Sequence, residues 1–174
     1  MTRLPKRGKA RKSPHGADPA VTSEVRLEPI DRANREAVLA LALAAEQQDY
    51  VADNASSLKE AKQDADARPR AVVAGNRVVG FLMYDASKDD DEALIYRFMI
   101  DHREQGRGYG RAALNALLGE IQSMRYVKDV VVCYMPENEA ARHLYQTAGF
   151  VDEGLDEDGE MIARLSLSRQ RRRG

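Results

Sequence analysis

The chain of 174 residues has no tryptophan, one cysteine and only 6% aromatic residues. A single cysteine, Cys133, rules out an internal disulfide and points to a reducing compartment, so a cytoplasmic setting is expected. No stretch of about 18 apolar residues occurs, which excludes an α-helical membrane span. The first residues are basic but no apolar segment follows them, so they do not read as a secretory signal. The length suits one domain large enough to bury a core.

The formal net charge of -1 conceals an asymmetry. Residues 1–23 carry six Lys/Arg against one Asp, and residues 164–174 carry five Arg. The segment between them therefore holds 16 basic and 27 acidic residues. An acidic body attracts cations and repels nucleic acid, so an RNA partner is expected, if anywhere, at the basic ends. Residues 1–23, rich in Pro, Lys, Arg and Gly, are expected to be a disordered extension, with the domain over 24–167 and a basic tail over 168–174.

The most informative stretch is Met99-Ile100-Asp101-His102-Arg103-Glu104-Gln105-Gly106-Arg107-Gly108-Tyr109-Gly110-Arg111, which closes an apolar strand and opens an apolar-periodic helix. Glycines at alternate positions let the backbone take positive φ and bring N–H groups close to a ligand, and a helix N-terminus aims its unpaired donors at the same point. An anion such as a diphosphate suits this place, with Arg103, Arg107 and Arg111 adding positive charge. No Gly-Lys-Ser/Thr follows, and the glycine spacing is too tight for a dinucleotide fingerprint. A Gly-rich turn with solvated arginines is the plain alternative.

Elsewhere, residues 24–29 read as a strand, and Asp31 as the cap of a helix running to Leu43. Residues 46–54 lose periodicity and gather acids and amides, as a loop over a site or a simple connector. Ser57 to 67 reads as a helix, with Ser57 and Glu60 as a capping box. Residues 71–74 and 77–84 are strands joined by Gly75-Asn76. Residues 92–100 form a central strand, apolar on both faces except Arg97, which needs an ionic partner or a role beside the site. The glycine loop leads to a helix carrying Leu114, Leu117, Leu118 and Ile121. A strand over 130–134, a helix from Asn138 to Gly149 and two closing strands complete the order.

This order and two motifs resemble the GNAT superfamily of acetyl-CoA-dependent N-acetyltransferases. One is Gln105-Gly106-Arg107-Gly108-Tyr109-Gly110; the other is Asn138-Glu139-Ala140-Ala141-Arg142-His143-Leu144-Tyr145-Gln146-Thr147-Ala148-Gly149-Phe150. A narrower likeness, carried by residues 94–101, Tyr50-Val51 and residues 155–160, is to bacterial spermine/spermidine acetyltransferases of the diamine type. The resemblance implies an α/β (α+β) GNAT fold: a central mixed, mostly antiparallel sheet of six to seven strands flanked by about four helices. It implies acetyl-CoA as cosubstrate, a small-molecule amine as acceptor, no metal, and a tendency to pair as a homodimer.

The same resemblance assigns roles. The diphosphate would rest on Gln105, Gly106, Arg107, Gly108, Tyr109, Gly110 and Arg111. The pantetheine would run beside Phe98, Met99 and Ile100, with Asn138 and Ala141 contributing from the later helix. The Met99 N–H would face the thioester carbonyl, and Tyr145 would protonate the departing sulfur. From helical pattern alone Tyr145 is equally a core tyrosine beside Leu144 and Ala148. The acceptor side would draw on Glu46, Asp49, Tyr50, Asp53, Glu92 and Tyr96, with carboxylates pairing the ammonium groups of a polyamine. His102 and His143 are expected to be solvated bystanders.

Overall fold

The computed structural model describes residues 24–45, 47 and 53–167. The expected basic extension over 1–23 and the tail over 168–174 lie outside them, as do Glu46, Asp49 and Tyr50. Seven strands form one sheet in the order β1-β2-β3-β4-β5-β7-β6: β1 (Val25–Pro29), β2 (Ala67–Ala74), β3 (Arg77–Asp85), β4 (Glu92–Ile100), β5 (Asp129–Tyr134), β6 (Val151–Leu155) and β7 (Met161–Ser166). Only β4 and β5 run parallel. The helices are α1 (Arg35–Leu39), α2 (Asn54–Glu60), α3 (Tyr109–Ser123) and α4 (Glu139–Ala148). This is the expected α/β architecture, with β4 in the middle.

The two faces of the sheet carry separate cores. Leu114, Leu117 and Ile121 of α3 meet Val72, Leu82 and Val132 on one face; Val38 of α1 and Leu58 of α2 meet Phe81, Met83 and Met99 on the other. Across the first interface Glu120 of α3 accepts hydrogen bonds from Arg70 of β2 and Tyr84 of β3, each 2.6 Å long. That link holds α3, and with it the end of the glycine loop, against the sheet.

Two helices depart from expectation. The first ends at Leu39 rather than Leu43, because Ala42 gives its N–H to Asp101 and its carbonyl to the N–H of His102. Backbone groups engaged by a distant segment cannot extend a helix. It also begins at Arg35, since Asp31 caps a preceding turn through the N–H groups of Ala33 and Asn34. The second begins at Asn54, capped by Asp53 through the Ser56 N–H, so Ser57 and Glu60 lie inside it and form no capping box. β2 starts four residues earlier than predicted, at Ala67. Its Pro69 sits just beyond the last β1 pair, Pro29 with Arg70, where no β1 acceptor calls for an N–H.

Gly80 marks the closest approach of β3 to β4. A Cβ built there would lie 2.5 Å from the Met99 carbonyl oxygen and 2.7 Å from the Ile100 side chain. Gly80→Ala is therefore expected to destabilise by about 1–3 kcal/mol, lowering Tm by roughly 2–4 °C per kcal/mol in thermal unfolding.

Candidate functional site

The site begins with a defect in the sheet. β4 pairs with β5 only from Glu92 to Ile95, opposite Asp129 to Val132. Immediately afterwards the β3 register steps from Tyr84–Ile95 to Met83–Arg97, which makes Tyr96 an extra residue in β4. A bulge bends and twists its strand, so the remainder of β4 swings away from β5 and leaves an unpaired edge. The hydrogen-bond phase follows from the register. The Asp101 N–H donates to the Val79 carbonyl, so the pairs Val79–Asp101 and Phe81–Met99 are the hydrogen-bonded ones. The Met99 N–H therefore points to β3, correcting its expected place at the open edge. The N–H groups facing the gap belong to Phe98 and Ile100.

Between this edge, the glycine loop and α4 lies a cleft of about 710 Å³, within the usual range for small-molecule sites of about 300–1,000 Å³. Phe98, Met99 and Ile100 form one wall; Gln105, Gly106, Gly108, Tyr109, Gly110 and Arg111 form its end; Asn138, Ala141 and Tyr145 face them. Gly106 and Gly108 have φ of +75° and +81°, and Gly108 caps α3 without any side-chain cap. The first N–H groups of this 15-residue helix thus have no acceptor in the helix and open onto the cleft. An anion fits here.

The arginines separate. Arg111 lines the cleft, Arg103 is paired to Asp101, and Arg107 lies 3.2 Å from Glu104 rather than in the lining. Glu104 lines the cleft itself, an unfavourable neighbour for an anion until Arg77, 2.7 Å away, is counted with Arg107. Gln105 Nε2 donates both to the Ile100 carbonyl, at 3.0 Å, and to Gln47 Oε1, at 2.9 Å, bracing the loop. Leu43, Gln47, Glu104, Ala140, His143 and Leu144 also line the cleft and were not anticipated there. Leu43 and Gln47 left no periodic signal, whereas Ala140, His143 and Leu144 could have been inferred from their place one turn around Tyr145 and Asn138. His143 is exposed, as expected, but at the cleft rim.

On α4, Asn138 caps the helix by accepting the Ala141 N–H at 3.0 Å, which leaves its Nδ2 to donate into the cleft. Tyr145 is 4% exposed, stacked on Tyr134 at 5.8 Å between ring centres and edge-on to Phe150 at 5.4 Å. Both anticipated readings therefore hold for its position: its ring is part of the core, and the residue lines the cleft. Burial, with Tyr134 beside it, pushes its phenol well above the ordinary tyrosine value. The hydroxyl remains protonated throughout the neutral range.

The expected acceptor residues do not gather. Glu92 pairs with Arg164 at the far end of β4, and Tyr96 donates to Asp85 at 2.7 Å on the opposite core's side. Burial and then that carboxylate raise the Tyr96 pKa. Asp53 serves as the α2 cap, its carboxyl held below the usual range by the Ser56 hydroxyl and N–H. Strand alternation and the bulge explain the first two; a local turn explains the third. Arg97, left open in the sequence, pairs with Glu60 at 3.2 Å.

Residues 35–150 match the model of the acetyltransferase (GNAT) family. A spermine/spermidine N(1)-acetyltransferase of Bacillus subtilis is 32% identical over 136 residues, covering 74% of this chain and 90% of that relative. A probable spermine N(1)-acetyltransferase of Bacillus subtilis subsp. natto is 31% identical over the same shares. Among solved structures, aminoglycoside acetyltransferase AAC(6')-Ib in complex with coenzyme A superposes with a TM-score of 0.68 at 15% identity, over 86% of this chain and 99% of that one. A chimera of spermidine N-acetyltransferase SpeG from Vibrio cholerae and hSSAT gives 0.68 at 21% identity over the same shares.

Proposed function

The chain belongs to the acetyltransferase (GNAT) family and is an N-acetyltransferase that uses acetyl-CoA; we propose that its acceptor is a polyamine or a similar small primary amine. The observation that carries the acceptor is the 32% identity to a spermine/spermidine acetyltransferase across 90% of that relative's length. The acidic balance of residues 24–163 supports it, because such a body attracts polycations.

The bound cosubstrate supplies an acyl group already activated as a thioester. In our reading the N–H groups of residues 105–110 and the first turn of α3 hold its diphosphate, with Arg111 alongside. The Phe98 and Ile100 N–H groups, unpaired by β5, take over the donor role expected of Met99; fixed donors at the end of a strand stabilise developing oxyanion charge without reorganising. Asn138 Nδ2 donates from the facing wall. Tyr145 holds its hydroxyl proton for the thiolate that leaves. Burial raises the phenol, and a thiolate in the same apolar cleft is raised for the same reason, so the transfer between them remains matched.

The acceptor must lose a proton before it attacks, since an alkylammonium has a pKa of about 10.4. Below that value kcat/KM is expected to rise by about tenfold per pH unit unless an enzyme base intervenes. Because the neutral form of Tyr145 persists above the usual tyrosine value, no falling alkaline limb is expected below about pH 10. A pH series of initial rates reads both features. The acceptor itself is tested by thiol release from acetyl-CoA with spermidine, spermine, an aminoglycoside, free amino acids and a peptide. Spermidine and spermine are expected to give the highest kcat/KM; turnover confined to peptides or aminoglycosides ends the polyamine reading.

A further inference from the structure

Asp101 stands at the junction between β4 and the glycine loop and is 2% exposed. Its Oδ2 accepts the Ala42 N–H at 3.0 Å and Arg103 Nη2 at 2.9 Å; its Oδ1 accepts the Arg103 N–H at 3.0 Å and Nε at 2.8 Å. Its own N–H reaches Val79 in β3 at 2.9 Å, and its carbonyl accepts the Glu104 N–H at 2.8 Å. The next residue, His102, donates its N–H to the Ala42 carbonyl at 2.9 Å. Ala42 is therefore gripped on both its main-chain groups by the start of the glycine loop, 59 residues away in sequence.

What Ala42 belongs to gives this grip its meaning. It lies in the segment between α1 and α2, and the neighbouring Leu43 and Gln47 line the cleft opposite the glycine loop. Gln47 is tied to that loop a second time, through Gln105. One wall of the cleft is thus fastened to the other at both ends of the turn over residues 101–105. A buried carboxylate shared between an arginine and a foreign N–H is costly to place, and here Arg103 offsets its burial. A capping residue for the short turn over His102–Glu104 could do its local work without reaching Ala42.

We infer that Asp101 is a positioning residue that couples occupancy of the glycine loop to the order of the α1–α2 segment, so that the coenzyme prepares the acceptor wall of the cleft. This rests on the acetyl-CoA reading above. Anything bound on the N–H groups of residues 105–110 restrains the turn that Asp101 organises, and that restraint passes to Ala42 through the carboxylate. Because binding free energies are reciprocal, the acceptor wall in turn tightens the coenzyme. The carboxyl is held well below the usual aspartate range, first by the Arg103 hydrogen bonds against the opposing effect of burial. The link therefore stays charged across any ordinary assay pH.

Amide hydrogen exchange on the full chain, with and without coenzyme A, tests the coupling apart from turnover. In the unmodified protein, coenzyme A is expected to slow exchange over residues 41–47 by about tenfold or more, the scale of a hydrogen bond to a charged group. Asp101→Ala should bind coenzyme A within about threefold of the unmodified protein yet lose that protection, and Asp101→Asn, which keeps one acceptor, should restore part of it. Full protection in a folded Asp101→Ala variant overturns the inference. Should that variant not fold, the Ala42 amide followed by NMR in the unmodified protein decides: exchange unaltered by coenzyme A overturns it as well. Failure of the unmodified protein to bind coenzyme A at all would instead bring down the reading on which this one stands.

Discussion

Tyr145→Phe is expected to lower kcat by about 10²–10³-fold while leaving the acetyl-CoA KM within about threefold. The argument starts from what the substitution spares. The ring keeps its stack on Tyr134 and its edge contact with Phe150, and α4 keeps its buried anchor. Among the described residues the hydroxyl makes no hydrogen bond, so its removal leaves no partner unsatisfied and Tm should change by no more than about 1–2 °C. What disappears is the proton that the leaving thiolate needs. The split between an unchanged Tm and a collapsed kcat separates a proton donor from a core tyrosine. Full turnover by the variant would assign Tyr145 to packing alone.

Gly108→Val should act on the other half of the site, raising the acetyl-CoA KM by about 10–100-fold through the cost of roughly 1–3 kcal/mol for a β-branched residue at positive φ. The effect is conformational rather than steric. A Cβ at Gly108 would meet nothing within 4 Å, yet φ is +81° there. Either the valine is strained in place or the loop relaxes and turns its N–H groups from the cleft. Gly119→Ala provides the contrast, for it lies in the interior of α3 with equally open surroundings and no positive φ. It should gain about 0.4–1 kcal/mol in denaturant unfolding and leave the KM alone. Equal KM values for Gly108→Val and the unmodified protein would remove the loop from coenzyme binding.

Much of this was legible before the fold was seen. Gly75-Asn76 announced its hairpin, the apolar run over 92–100 its central strand, and Gly149 the end of α4, since each depends on local backbone or periodic burial. The phosphate loop was equally readable, because alternate glycines before an uncapped helix are a local device. The acceptor wall was not. Glu92 and Tyr96 seemed eligible on a strand entering the site, but the bulge at Tyr96 and the pairing of Glu92 with Arg164 are settled by strands 50 or more residues apart or by register.

The helix expected to run to Leu43 had an acceptable local pattern throughout; it stops because Asp101 and His102 claim Ala42, and nothing near Ala42 in sequence signals that. The choice of Phe98 and Ile100 over Met99 likewise turns on which way each N–H points, a phase set by the Val79–Asp101 bond. By itself, then, the amino-acid order determined the elements, the family and the anion-binding loop, all of which arise from residues adjacent along the chain. The tertiary structure alone decided which main-chain donors face the gap and which segment closes the cleft, because strand register and long-range hydrogen bonds are properties of the packed sheet.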